Sequence, residues 1–260
     1  EGIIQSGGRG LNLAKLEPIL NMAYALEPAA VAVQLNSPGG SPVQSYLLGR
    51  RIDELRKKTG IKTYAFCEDV AASGGYMVAC ASDELYCCPS SLVGSIGVLF
   101  NSFGLHNTME KVGVERRIRS AGENKVLMDP FSPVSDKDEA RVGALLSSFH
   151  KDFIQVVKDS RGDRLVDEHS DAIFSGEAFT AQEAKDNGLV DGIGDMRSVL
   201  RAELEKGGKE VKFIRVNKQS LFDRLWGGNL AQNSMSESAL PGNQTTPSFI
   251  ATYALSLIKM

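Results

Sequence analysis

The chain has 260 residues, 42% of them apolar, and a net charge of −3. Such a length supports one large domain, or one domain with appendages, and the composition is that of an ordinary globular chain. The small net charge, with both signs interspersed, argues against a nucleic-acid partner, and no apolar run reaches the roughly 18–20 residues that span a bilayer.

The four cysteines, Cys67, Cys80, Cys87 and Cys88, lack the Cys-x-x-Cys or Cys/His spacing of a zinc site. They read as small core residues, so neither a metal nor a disulfide framework is expected. The chain opens on Glu1-Gly2-Ile3-Ile4-Gln5, which reads like the second half of a strand. The expectation is an N-terminal truncation, with any targeting signal or membrane anchor lying upstream.

Leu13, Leu16, Ile19, Leu20, Ala23 and Leu26 fall on one helical face. Ala30 to Leu35 is a continuous apolar strand candidate. Ser41-Pro42 opens the next helix, with serine at the N-cap and proline in the first turn, and Gly60 ends it. Lys62 to Cys67 and Glu84 to Cys88 are further buried strands, and this strand–helix–strand alternation predicts parallel pairing. Val114 to Arg119 is another strand candidate, leading into Ser120-Ala121-Gly122-Glu123-Asn124-Lys125.

A long amphipathic helix comes next, capped by Ser135 and Asp138, with Val142, Leu145, Leu146, Phe149, Phe153 and Val157 on its apolar face. Thr180 to Glu183 caps a shorter helix that ends near Gly188. Arg197 to Glu205 reads as a helix and Val211 to Val216 as a late strand. Residues 227–247 are rich in Asn, Ser, Gln, Thr, Gly and Pro and read as a linker. The apolar segment beyond it, within 248–260, is too short as a helix to cross a membrane and reads as a tail packed on the body or on a neighbouring subunit. The expected organisation is a main domain over 1–226 with a core at about 2–200, the linker, and the tail.

Two glycine turns carry the chemistry. Asn36-Ser37-Pro38-Gly39-Gly40 follows a buried strand and precedes a helix, so its N–H groups lie where negative charge is stabilised. An oxyanion hole needs such donors; a plain strand–helix connection uses the same residues for geometry alone. Val70-Ala71-Ala72-Ser73-Gly74-Gly75-Tyr76-Met77 has the same layout, with Ser73 at a helix start among small neighbours. Ser73 is read as a nucleophile or as an N-cap, and Gly74 could join Gly40 in holding an oxyanion. Of the three histidines, His150 lies beside Phe149 of the amphipathic helix, His169 in a charged stretch and His106 after a Gly-Leu turn. None lies near either glycine turn in sequence. Lys125, flanked by Val126, Leu127 and Met128, could serve as base if burial lowers its pKa from ~10.4 toward ~7–8. Ser95, in Gly94-Ser95-Ile96-Gly97, is the candidate hydroxyl to orient that amine.

Together and in this order, Asn-Ser-Pro-Gly-Gly, Ala-Ala-Ser-Gly-Gly-Tyr, Gly-Ser-Ile-Gly-Val and Ala-Gly-Glu-Asn-Lys resemble the signal peptide peptidase A family (S49) of serine proteases, nearer to its SohB-like branch. The resemblance covers about residues 2–200, including Gly188-Leu189-Val190-Asp191. It implies an α/β fold, the crotonase/Clp protease-like spiral of strand and helix units with parallel strands, to which the tail adds a C-terminal helical appendage. It implies Ser73 as nucleophile, Lys125 as general base, Gly40 and Gly74 as oxyanion donors and Ser95 as the base-orienting hydroxyl, with no cofactor. It also implies a membrane-associated homo-oligomer that cleaves short hydrophobic peptides such as signal-peptide remnants, with room for a centre shared between subunits. Val98, Leu99 and Phe100 are the expected lining of the substrate groove. Tyr76-Met77 departs from the aromatic pair many members carry, and Val126 from the usual polar residue after the lysine.

Three other readings remain open on sequence alone. A Clp-type subunit with a Ser-His-Asp triad would need His106 as its base. An inactive scaffold of the same fold would retain the turns without turnover. A crotonase-type hydrolyase would use carboxylates and coenzyme A, for which no residue argues.

Overall fold

The computed structural model describes residues 1–8, 10–122, 124–205, 210–217 and 248–253, the last of these as backbone only. They divide into two compact units, residues 1–96 with those from 156 onward, and residues 97–155.

The first unit is built on alternating strands and helices. Helix α1 (Leu13–Ala25) is capped by Asn12, whose side chain accepts from the Lys15 N–H. Strand β1 (Ala30–Ser37) leads into α2 (Pro42–Thr59), where Ser41 caps the N-terminus and Gly60, at φ +69°, closes the C-terminus in the left-handed conformation. Strand β2 (Thr63–Ala72) feeds α3 (Gly74–Ala79), followed by β3 (Glu84–Cys87) and β4 (Leu92–Gly94). β1 pairs in parallel with β2, and β2 with both β3 and β4. This is the parallel α/β arrangement of strand and helix units that the resemblance implied.

Both faces of the sheet are covered, which is why its strands read as continuous apolar runs. On one face Leu16, Ile19 and Leu20 of α1, Leu48 and Ile52 of α2 and Val78 of α3 surround Val33 and Leu35 of β1. On the other, Ala30, Ala32, Tyr64 and Phe66 pack with Leu200 and Val211. Phe66 stacks on Tyr86 with ring centroids 5.5 Å apart.

The strand β2 changes neighbours along its length. Tyr64 to Cys67 pair with β3, whereas Val70 to Ala72 pair with β4. At the switch its register against β1 slips: Leu35 faces Cys67, but Ser37 faces Ala71. The extra residues form a bulge at 68–70, a device that bends a strand and re-aims the residues beyond it.

Helix α4 (His106–Lys111) lies in the second unit, and α5 (Asp136–Arg161) begins there, the division falling between Gln155 and Val156. The Ser135 hydroxyl accepts from the Asp138 N–H at the start of α5. Within the second unit Asp129 accepts from Arg116 Nε at 2.8 Å and from the Ser132 hydroxyl at 2.7 Å, and Arg116 lies over the Phe131 ring. The strand expected at Val114–Arg119 is absent. These residues are exposed and have no ladder partner, and an extended segment becomes a strand only where a neighbour takes its N–H and C=O groups.

The chain continues through α6 (Ser170–Ile173), β5 (Ala178–Thr180), α7 (Ala181–Asp186), β6 (Gly192–Ile193), α8 (Met196–Leu204) and β7 (Val211–Arg215). α7 carries a full capping box between Thr180 and Glu183. The C-terminal helical appendage is corrected. Residues Ser248–Tyr253 form strand β8, lying parallel between β1 and β7. Phe, Ile, Thr and Tyr suit a strand, and so short an apolar run does not distinguish the two periodicities. The linker expected at 227–247 and the last residues of the tail lie outside the described residues.

Among the described residues no helix is long and apolar enough to cross a membrane, and no group of side chains could hold a metal ion. Cys67, Cys80 and Cys87 are buried, as core residues should be, whereas Cys88 is half-buried.

Candidate active site

The two glycine turns meet. β1 and β2 are parallel neighbours, so the turns leaving their C-terminal ends lie side by side, each opening a helix. A Cβ placed on Gly39 would sit 2.6 Å from the Gly74 nitrogen and 2.9 Å from Ser73 Cβ. Gly39 has φ +96° and Gly40 φ +139°. Glycine is required here both by conformation and by the approach of the second turn.

Ser73 lies between β2 and α3 with φ +51° and ψ −125°, a region that is strained for any residue with a Cβ. Its hydroxyl makes no capping bond to α3, so the N-cap reading fails on geometry. The backbone accounts for the conformation: the Ser73 N–H donates to the Gly94 carbonyl at 2.8 Å and the Ser73 carbonyl accepts from Met77 at 3.0 Å. A serine on a sharp, strained strand-to-helix turn, its hydroxyl unused by the helix, has the geometry of a nucleophile elbow.

Two N–H groups flank it. Ile4 N donates to the Gly39 carbonyl and Ser41 N to the Ile4 carbonyl, a parallel bridge that turns the Gly40 N–H to the opposite side. Gly74 is the first residue of α3, where an N–H has no partner within the helix. Gly39 is not such a donor, because its N–H is taken by the Ser37 hydroxyl at 3.1 Å.

Ser95 stands next to this cluster. β4 pairs with β2 through Ala72 and Gly94, so Ser95 leaves β4 where Ser73 leaves β2. Ser95 also has a positive φ, +50°, fixed by a bond from its N–H to the Glu177 carbonyl at 2.7 Å. Thus Gly40, Ser73, Gly74 and Ser95 come together at one end of the sheet.

Lys125 belongs to the second unit, in a turn closed by its N–H on the Gly122 carbonyl at 3.2 Å. Its side chain is exposed, and the apolar flank expected to desolvate it is itself open, with Val126 38% and Leu127 40% exposed. Val98, Leu99 and Phe100 also lie in that unit; Val98 is half-buried, whereas Leu99 is 78% and Phe100 51% exposed.

The histidines are otherwise engaged. His106 faces Glu110 one turn along α4, and His169 Nδ1 lies 2.7 Å from Asn187 Oδ1. Behind α3, Tyr76 donates its hydroxyl to the Leu189 carbonyl at 2.7 Å. The buried Arg161 grips Asp191 through both terminal nitrogens at 2.9 Å, and its Nε donates to the Gly188 carbonyl. The Gly188-Leu189-Val190-Asp191 run is therefore a structural brace for α3, the helix that follows Ser73. Burial pushes the Asp191 carboxyl up, but the hydrogen bonds from Arg161 and from the Leu85 N–H, with the charges of Arg161 and Arg164, outweigh it and hold the group below the usual carboxylate range.

Asn36 is a residue to which the sequence alone assigns no role. Its signal is its place: a poor strand former ending an apolar strand, directly before the first glycine turn.

The model of peptidase family S49 matches residues 55–212, a stretch that includes Ser73, Gly74, Ser95 and Lys125. The chain belongs to peptidase family S49. A Brucella abortus protein named as the Na(+)/H(+) antiporter NhaA is 49% identical over 223 residues, covering 84% of this chain and 30% of its own length. A Haemophilus influenzae relative named as protease SohB is 30% identical over 221 residues, covering 85% of this chain and 60% of its own. The chain thus spans less than two thirds of either relative. Among solved structures, a mutant of the membrane-bound stomatin-specific protease 1510-N matches with TM-score 0.46 and 16% identity, over 77% of this chain and 79% of that one.

Proposed function

We propose that the chain is a serine endopeptidase domain working through a Ser-Lys dyad. Ser73 attacks the substrate carbonyl, Lys125 takes its proton, and the N–H groups of Gly40 and Gly74 hold the oxyanion. The protonated lysine then gives its proton to the leaving amine, and water releases the acyl group by the same route in reverse. Ser95 orients the lysine amine. The observation that carries this reading is the strained Ser73, whose hydroxyl its own helix does not use, flanked by the Gly40 N–H, turned away from the bridge to Ile4, and the Gly74 N–H, which α3 does not use.

Lys125 is exposed on its own unit, so the role requires that bound peptide or a neighbouring copy desolvate it. Val98, Leu99 and Phe100, largely uncovered, suit a groove for short hydrophobic peptides such as signal-peptide remnants. Homo-oligomeric assembly and membrane association belong to the same reading. A Clp-type triad through His106 has no supporting observation, since that imidazole faces Glu110.

The test is a pH–rate profile on a hydrophobic peptide, run for the wild type and for Lys125→Ala. An acidic limb, with turnover rising as the amine loses its proton, that vanishes with the lysine supports the dyad. Near-normal turnover in the variant would remove Lys125 as the base.

A further inference from the structure

The bulge at 68–70 places backbone polar groups outside any strand ladder, and two side chains take them up. The Asn36 carbonyl oxygen accepts from the Val70 N–H at 3.3 Å, and its amide nitrogen donates to Asp69 Oδ2 at 2.6 Å. From the opposite side Ser91, buried, donates its hydroxyl toward the carbonyls of Cys67, at 3.1 Å, and Glu68. Two residues earlier on β1, the Gln34 amide nitrogen donates to the Glu68 carboxylate at 3.2 Å. The three residues after the bulge are Ala71, Ala72 and Ser73.

We infer that Asn36 and Asp69 form a latch that sets the direction in which β2 delivers Ser73, making both of them positioning residues. This rests on the reading of Ser73 as nucleophile. The physical case is one of direction. Between Cys67 and Val70 the strand exchanges β3 for β4, and the ladder with β1 passes from Leu35–Cys67 straight to Ser37–Ala71, so residues 68–70 have no ladder partner on β1. The Asn36 amide supplies both missing constraints at once, as acceptor for Val70 and donor to Asp69. The same residue precedes the turn carrying Gly40, so one side chain keys the oxyanion turn to the serine turn.

The test exchanges the two partners. Asn36→Asp sets two carboxylates against each other, whereas Asn36→Asp combined with Asp69→Asn restores an acceptor for Val70 and a donor–acceptor pair with the roles reversed. Turnover of a hydrophobic peptide and labelling of Ser73 by a fluorophosphonate are measured beside the melting temperature. The single variant should lose about tenfold in kcat with little change in KM, as expected for losing a hydrogen bond to a charged group. The double variant should return to within about threefold of the wild type. Asp69→Ala, which removes the acceptor without adding charge, should also slow kcat and serves should Asn36→Asp not fold. An unchanged kcat in the single variants, or a double variant as slow as Asn36→Asp, overturns the latch. Full turnover by Ser73→Ala would instead overturn the nucleophile on which it rests, so the two failures are separable.

Discussion

The backbone N–H of Ser73 donates to the carbonyl of Gly94 at 2.8 Å. This one bond joins the strand that ends in the proposed nucleophile to the strand that ends in Ser95. Both serines lie just beyond it with φ near +50°, so two strained residues are held by the same pair of strand ends. Strain of this kind persists only where the surroundings over-determine it, and here the ladder between β2 and β4 does so.

Relief of that strain separates stability from activity at Ser73. Ser73→Gly and Ser73→Ala should both abolish turnover and fluorophosphonate labelling. Thermal or urea unfolding should nevertheless find Ser73→Gly roughly 1 kcal/mol more stable than Ser73→Ala, because only glycine adopts this backbone without cost. Equal stability would mean the turn is not strained.

Gly39→Ala should damage the site although Gly39 donates nothing to it. The new methyl would press on the Gly74 nitrogen and on Ser73, 2.6 and 2.9 Å away. Displacing the Gly74 N–H, a proposed oxyanion donor, should slow Ser73 labelling by about a hundredfold. Unfolding should show a loss of roughly 1–3 kcal/mol.

Asp191→Asn should destabilise the fold by about 3 kcal/mol near neutral pH, since it leaves the buried Arg161 without its counter-charge. The folded-state pKa of Asp191 is depressed, so its contribution is complete above the unfolded value of about 3.9 and is lost as pH falls through the lower folded value. The gap in melting temperature between wild type and variant should therefore be constant from about pH 5 to 8 and close below about pH 4.

Thr180→Ala removes the hydroxyl half of the capping box on α7. It should cost about 1 kcal/mol by chemical denaturation while leaving the kcat of folded protein unchanged.

Much of the first unit is legible in the sequence because its signals are local. Ser41 and Gly60 mark the ends of α2 by cap chemistry alone, and the buried faces of β1 and β2 give continuous apolar runs. By its apolar pattern β2 would end at Cys67, where Glu68 and Asp69 interrupt it; the strand in fact continues past the bulge they form. Ser73 can be placed at a helix start but not distinguished from a cap, since backbone strain leaves no trace in residue identity. Val114–Arg119 has the composition of a strand without a partner to make it one. The environment of Lys125 is the least legible feature, because a flank of apolar residues specifies an affinity for burial and not the surface that provides it.

Strand β8 sets a timetable for folding. Ala30 pairs with Ile250, and among the described residues β7 joins the sheet through β8. As the chain emerges from the ribosome, both glycine turns and the strands that aim them are available long before this closing strand. Until it arrives the outer edge of β1 offers unpaired N–H and C=O groups to any passing strand, and the long sequence separation makes its capture a slow step. The nascent protein thus has a period in which the proposed nucleophile can be in place while the sheet behind it is still open to mispairing.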